Sequence, residues 1–182
     1  MVVIGDVAGR GPAAASLTAM ARYTLRTAGS LVGAPAMGLA RLNENLRARG
    51  ELALCTAAIV LLRDDTHASV VSAGHPLPLL VRAGRAQPVG RTGPLLGAFD
   101  QGHWLPAEVK VEPGDVLVLF TDGVIDARSR NGGGRFGEVR LAETLADAAD
   151  ADDAIKRVQL ALEKFAGPQH DDDTAVLALM RT

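Results

Sequence analysis

Carboxylates stand beside three apolar segments of this 182-residue chain, where they could bind a cation. Asp6 follows VVIG, Asp122 follows VLVLFT, and a run of three acids at residues 171–173 precedes TAVLALM. If the three segments are neighbouring strands, their ends bring carboxylates to one edge, where they repel each other unless a cation intervenes. Oxygen ligands without a nearby His or Cys favour Mg²⁺ or Mn²⁺ over Zn²⁺. An Asp-Gly pair is also a common turn, so spacing alone leaves both interpretations open.

Two other kinds of site compete for these residues. Residues 9–14, GRGPAA, match G-x-G-x-x-A, which can bind a dinucleotide when it follows a strand. That motif requires a second strand ending in an acid about 20 residues further on, whereas two helices are predicted here. Asp122 could also be the nucleophile of a phosphoaspartyl hydrolase, but such enzymes have a second Asp two residues later, where this chain has Val124. Neither alternative fits its full pattern.

The elements that must position the acids follow from the periodicity of apolar residues and from turn signals. Strands are predicted at residues 2–6, 54–63, 67–73, 78–82, 108–111, 115–121 and 174–180, and helices at 12–28, 35–48, 138–148 and 152–165. Residues 64–66 and 112–114 are predicted hairpin turns, and residues 83–85 are expected to turn the chain. Short sequential strands with tight turns indicate antiparallel sheets. We expect one α/β domain of the α+β type, spanning residues 1–182.

Composition narrows the classes of partner. The net charge of −2 gives no reason to expect a nucleic acid or an anionic membrane as partner. No apolar run approaches the roughly 20 residues that a membrane-spanning helix needs. Cys55 is the only cysteine, which excludes an intrachain disulfide, and it stands in an apolar strand where we expect it in the core. A cytoplasmic protein is expected.

Five motifs, in order, resemble the metal-dependent protein phosphatases of the branch similar to the sporulation stage II protein E phosphatase. They are GDVAGRGPAAA, SAGHPLPLLV, EPGDVLVLFTDGVIDAR, RFGEVRL and DDDTAVLAL, and the resemblance extends over essentially the whole chain, from Val2 to Met180. The resemblance implies a four-layer α-β-β-α sandwich of two mostly antiparallel sheets, with two Mn²⁺ or Mg²⁺ ions at one end. It also implies hydrolysis of phosphoserine or phosphothreonine on a protein, such as an anti-sigma-factor antagonist in a bacterial regulatory pathway.

The same resemblance implies a ligand set. Asp6 bridges both ions, the Val7 carbonyl binds the second ion, and Asp122 with Asp171 completes the first. Asp172 is the alternative to Asp171, because this chain has three acids where the family commonly has two. Such a pair of ions activates a water for in-line attack without a protein nucleophile.

Three features stay open at this point. His75 in SAGHP is either a general acid or a structural residue of a turn, and Arg10 either contacts substrate phosphate or is solvated. The family has a further hairpin with a Gly-Gly-Asp motif before the GDV strand, whereas this chain begins four residues before Gly5. An N-terminally truncated domain is expected to bind the second ion weakly and to self-associate, as a homodimer, through its exposed sheet edge. The alternative function is a degenerate domain that binds a partner or signal without catalysis.

Overall fold

The computed structural model describes residues 1–32, 34–49, 53–64, 66–167 and 173–181. Its contacts divide the chain into two compact units. The first unit comprises Met1–Leu77 and Gly90–Lys110, and the second comprises Pro78–Val89 and Val111–Thr182. Each unit contains one sheet and its own helices, and the chain passes between the units three times.

The secondary structure alternates between the two units along the chain. The strands are β1 (Val2–Val7), β2 (Cys55–Leu62), β3 (His67–Ala73), β4 (Leu79–Arg82), β5 (Arg85–Pro88), β6 (Thr92–Gly93), β7 (Ala107–Lys110), β8 (Val116–Phe120) and β9 (Val176–Met180). The helices are α1 (Pro12–Val32), α2 (Pro35–Arg47), α3 (Asp122–Asp126), α4 (Gly137–Leu145) and α5 (Ala151–Ala166). No helix among the described residues is long and apolar enough to cross a membrane.

The sheet of the first unit has the order β1-β2-β3-β6, with β7 also paired to β3. All its pairs are antiparallel except β3 with β6. Helix α2 buries Leu39, Leu42 and Leu46, whose spacing of three and four residues puts them on one face. They pack in one cluster with Ile59 of β2 and Leu25 of α1. The helices of this unit thus cover one face of its sheet.

The sheet of the second unit is antiparallel throughout, in the order β5-β4-β8-β9. Its core combines Val116 and Val118 of β8 with Leu141 of α4 and Val158 of α5. Helix α5 begins after Asp150, whose carboxylate accepts the Asp153 N–H at 2.8 Å and so satisfies a free donor of the first turn. The predicted fold class, α/β with two mostly antiparallel sheets, is confirmed.

One predicted hairpin is wrong. Residues 108–111 and 115–121 were expected to pair around the turn at 112–114, but β7 pairs with β3 in the first sheet, and β8 pairs with β4 and β9 in the second. The turn is closed by the Asp115 N–H, which donates to the Glu112 carbonyl at 3.0 Å. A Glu-Pro-Gly-Asp turn has the same local signals whether or not its flanking strands pair, so sequence could not distinguish the two outcomes. The short elements β5, β6 and α3 were not predicted.

Asp115 also anchors this turn to β4. Its buried carboxylate accepts hydrogen bonds from Arg82 Nε at 2.9 Å and Arg82 Nη2 at 2.5 Å. The Glu112 N–H donates to Asp115 Oδ2 at 2.5 Å. Arginine and a backbone donor thus share one buried acceptor.

We expect Asp115→Ala to lower the free energy of unfolding by about 2 to 4 kcal/mol, because Arg82 and the Glu112 N–H lose that acceptor. The control is Glu44→Ala, which removes an exposed ion pair with Arg41 in α2 and should cost less than about 0.5 kcal/mol. Urea unfolding of both variants measures the difference. Equal losses would contradict the anchoring role of Asp115.

Candidate metal centre

Asp6 lies near the end of β1, at an edge of the first sheet. Among the described strands β1 pairs only with β2, and Asp6 lies opposite Thr56. The carboxylate of Asp6 is exposed and forms no hydrogen bond or ion pair with any residue that the structure describes. Gly5 precedes it because a Cβ at that position would overlap the Thr56 carbonyl oxygen. The sequence Gly-Asp therefore lets β1 approach β2 closely and leaves the acid available as a ligand.

The backbone next to Asp6 directs a carbonyl oxygen to the same edge. The Asp6 N–H donates to Thr56 Oγ1 at 3.2 Å, and the Ala8 N–H donates to the Leu54 carbonyl at 3.0 Å. Both groups therefore point towards β2. Because backbone polar groups alternate in direction along a strand, the Val7 carbonyl between them points away from β2, to the outer edge of β1. The Val7 carbonyl oxygen, a predicted ligand, therefore lies on the edge of β1 that is not paired with β2.

Asp122 is the corresponding acid of the second unit. It directly follows Thr121 after β8 and is the first residue of α3, where the backbone turns from extended to helical. Its side chain is exposed and has no hydrogen-bond or ion-pair partner within the described part of the chain. A negative charge in the first turn of a helix is also favoured by the helix dipole.

Thr121 ties the backbone before Asp122 to the segment that precedes β9. Its hydroxyl donates to the Asp173 carbonyl at 3.1 Å and accepts the Ala175 N–H at 2.9 Å. Its own N–H donates to the Ala175 carbonyl at 3.0 Å. On the other side of Asp122, a Cβ on Gly123 would lie 2.5 Å from the Asp173 carbonyl oxygen, so only glycine permits this approach. The structure thus brings the end of the acidic run next to Asp122.

Two predicted ligands, Asp171 and Asp172, lie outside the described residues. Among residues that are described, no three His, Cys, Asp or Glu side chains form a group that could hold a metal ion. Each unit by itself offers oxygen donors that suit a hard divalent cation, Asp6 with the Val7 carbonyl in the first unit and Asp122 in the second, and neither carboxylate has an ion-pair partner among the described residues. The complete ligand set stays a prediction.

Two residues with softer or titratable side chains, Cys55 and His75, are buried near Asp6. Cys55 is 4% exposed, and burial, followed by the negative charge of Asp6, raises the pKa of its thiol from 9.0 to about 12. The thiol therefore stays protonated at neutral pH and is neither a nucleophile nor a soft metal ligand. His75 is 3% exposed, with Nδ1 2.8 Å from Thr56 Oγ1. Arg10 is exposed and has no ion pair with a described residue.

Sequence reasoning found the acids but missed the threonines that hold their backbone. Thr56 is 50 residues from Asp6, and no local pattern connects them. Thr121 carried a weak signal, because a hydroxyl residue directly before Asp-Gly at a strand end can bond to nearby backbone groups.

We expect Thr121→Val to lower the free energy of unfolding by about 1 to 3 kcal/mol, because the hydroxyl bonds to Asp173 and Ala175 are lost. Amide hydrogen exchange at Ala175 should accelerate in the same variant. Thr121→Ser keeps the hydroxyl and should behave like the parent. Thr144→Val is the matched control in α4, where the hydroxyl donates to the Arg140 carbonyl. Unchanged exchange at Ala175 in Thr121→Val would contradict this role.

The buried thiol predicts a pH dependence of stability. Because the pKa of Cys55 is higher in the folded than in the unfolded state, the folded protein retains this proton above pH 9 and the unfolded chain releases it. The stabilisation is complete below pH 9 and is lost as the pH rises towards 12, with a slope of up to about 1.4 kcal/mol per pH unit. Urea unfolding between pH 8 and pH 10.5 should show this slope in the parent and a smaller one in Cys55→Ala. Parallel curves would refute the assignment.

A comparison with known proteins identifies the family of this chain. The family model described as Stage II sporulation protein E (SpoIIE) matches residues 1–182. Protein IcfG of Synechocystis sp. is 33% identical over 116 residues, which are 62% of this chain and 18% of that protein. The chain therefore spans less than a fifth of the length of this curated relative.

Solved structures match the fold. The SiaA-PP2C domain of Pseudomonas aeruginosa matches with a TM-score of 0.83 and 24% identity, over 98% of this chain and 73% of that one. The catalytic domain of the serine/threonine protein phosphatase PstP, in complex with two manganese ions, matches with a TM-score of 0.68 and 16% identity, over 97% and 84% of the two chains. Since the family model covers the whole chain and the fold is that of PP2C-type domains, the chain belongs to the Stage II sporulation protein E (SpoIIE) family.

Proposed function

We propose that this chain is a metal-dependent protein serine/threonine phosphatase. The observation that carries the proposal is the state of Asp6 and Asp122, the acids of its GDV and TDG motifs. Each stands at the end of a strand, exposed and without a protein counter-ion among the described residues. Carboxylates that are kept apart from arginine and lysine are suited to bind a cation. The matched fold adds to this support, because the PstP domain that shares it is in complex with two manganese ions.

The proposed ligands are those that the family resemblance implies. Asp6 and the Val7 carbonyl at the outer edge of β1 would hold Mn²⁺ or Mg²⁺, with Asp6 shared between two ions as the resemblance implies. Asp122 and either Asp171 or Asp172 would complete the set. The contact of Thr121 with the Asp173 carbonyl supports this, because it ties the acidic run to the backbone next to Asp122.

When bound, divalent cations would supply an activated water and would neutralise charge on the phosphoryl group. The protein's own side chains would then need only to bind and orient the phosphate group of the substrate. Arg10, exposed in the turn after β1 and unpaired in the described structure, is available to hold phosphoryl oxygens. The protonated thiol of Cys55 leaves no cysteine nucleophile, which agrees with direct attack by water.

The proposed substrate is phosphoserine or phosphothreonine on a protein, such as an anti-sigma-factor antagonist of a bacterial regulatory pathway. This substrate class rests on the family resemblance of the five motifs. Because the match spans 18% of the curated relative, the rest of that protein gives no information about this chain.

We expect Asp122→Asn to reduce Mn²⁺-dependent hydrolysis of a phosphoserine peptide by at least about 100-fold, because a charged ligand is lost. Its thermal unfolding without metal should match the parent, since the carboxylate has no protein partner to lose. The control is Asp147→Asn, an exposed acid of the same unit, which should retain full activity. Hydrolysis is measured as phosphate release over a range of Mn²⁺ concentrations.

Two results would contradict the proposal. Equal activity of Asp122→Asn and the parent would remove Asp122 from the site. A parent that binds the phosphopeptide but releases no phosphate at any Mn²⁺ concentration would favour the degenerate, partner-binding alternative.

A further inference from the structure

We infer that His75 and Thr56 are positioning residues that fix the backbone of Asp6 through a hydrogen-bonded chain across three strands. This inference rests on the proposed function, since it concerns how that site holds its bridging acid. These hydrogen bonds connect His75, just after β3, to Thr56 in β2, and Thr56 to Asp6 in β1. We call this chain of hydrogen bonds the Asp6 relay.

Thr56 is the central member of the Asp6 relay. Its Oγ1 accepts the Asp6 N–H at 3.2 Å and lies 2.8 Å from His75 Nδ1. A hydroxyl can accept one hydrogen bond while it donates another. With the imidazole proton on Nε2, Nδ1 accepts the Thr56 hydroxyl proton and the oxygen lone pairs face Asp6. The position of His75 then determines the orientation of the Thr56 hydroxyl.

His75 is itself held rigidly. Ser72 Oγ donates to the His75 carbonyl at 2.6 Å, and the His75 N–H donates back to Ser72 Oγ at 3.2 Å. Ser72 is fully buried and lies within β3, and the side chain of His75 is 3% exposed. The serine and the histidine of the SAGHP motif thus form one closed turn. This turn anchors the relay to the centre of the first sheet, because β3 pairs with β2, β6 and β7.

The relay acts where β1 has least support. On its outer side β1 pairs with no described strand, so the bonds to β2 must define the place of the Asp6 Cα. A ligand carboxylate whose backbone shifts loses affinity for its ion, and loss of a group that orients a ligand costs about 10 to 100-fold in metal affinity. Burial and the bond at Nδ1 assign His75 to this role, in place of proton transfer to a leaving group.

The test compares Thr56→Val, which keeps the shape of the side chain but removes the hydroxyl, with Thr56→Ser, which keeps the hydroxyl. Thr18→Val in α1 is the control, because the Thr18 hydroxyl donates to the Ala14 carbonyl of its own helix. Amide hydrogen exchange in the metal-free protein measures the protection of the Asp6 N–H directly. The Ala8 N–H, bonded to the Leu54 carbonyl, is the internal reference. Calorimetry with Mn²⁺ reads the affinity of the site.

We expect Thr56→Val to accelerate exchange at Asp6 about fivefold relative to Ala8 and to weaken Mn²⁺ binding about tenfold. Thr56→Ser and Thr18→Val should stay within about twofold of the parent in both measurements, well inside the change that loss of one hydrogen bond brings. His75→Leu should change both in the same direction as Thr56→Val. The double variant Thr56→Val/His75→Leu should be no worse than Thr56→Val, because His75 acts through Thr56.

Unchanged exchange at Asp6 in Thr56→Val would overturn the relay, and so would additive effects in the double variant. If the parent bound no Mn²⁺, the proposed function would fail. The exchange ratios, measured without metal, would in that case still decide whether the relay exists.

Discussion

Two carboxylates at strand ends, without a compensating charge among the described residues, are the constraint on which this account depends. Asp6 and Asp122 receive no ion pair from that part of the chain, although it is rich in arginine. Other acids do form ion pairs with arginine: Asp115 pairs with Arg82, and Asp126 pairs with Arg135. Backbone contacts therefore position these two acids, and under the proposed function a cation would compensate their charge.

The backbone beside the acid is held by the same kinds of contact in both units. A threonine hydroxyl bonds the backbone beside each acid, Thr56 to the Asp6 N–H and Thr121 to the Asp173 carbonyl and Ala175 N–H. A glycine adjoins each acid where the chain approaches its neighbour too closely for a Cβ. Helices that bury leucines cover each sheet and make it a rigid support, since close-packed interiors deform little. Backbone precision at the acids is thus a consequence of packing within each unit.

Much of the secondary structure, and the candidate acids of the site, could be predicted from sequence because they depend on residues close to each other in the chain. Leucine spacing in α2, the antiparallel pairing of β2 with β3 and the acids after apolar strands all follow from neighbouring residues. The prediction of a hairpin around residues 112–114 was wrong because a turn does not determine which sheet each flanking strand joins. The Asp6 relay could not be predicted, since Thr56 is 50 residues from Asp6 and 19 from His75. Contacts at such separations depend on strand register, which one sequence does not reveal.

The most direct measurement of the central claim is a crystal structure of the protein grown with Mn²⁺, with anomalous diffraction recorded at the manganese edge. We expect an anomalous peak within about 2.0 to 2.5 Å of a carboxylate oxygen of both Asp6 and Asp122, the range for oxygen ligands of a hard divalent cation. Manganese bound elsewhere, with these two carboxylates facing solvent or paired with arginine, would contradict it.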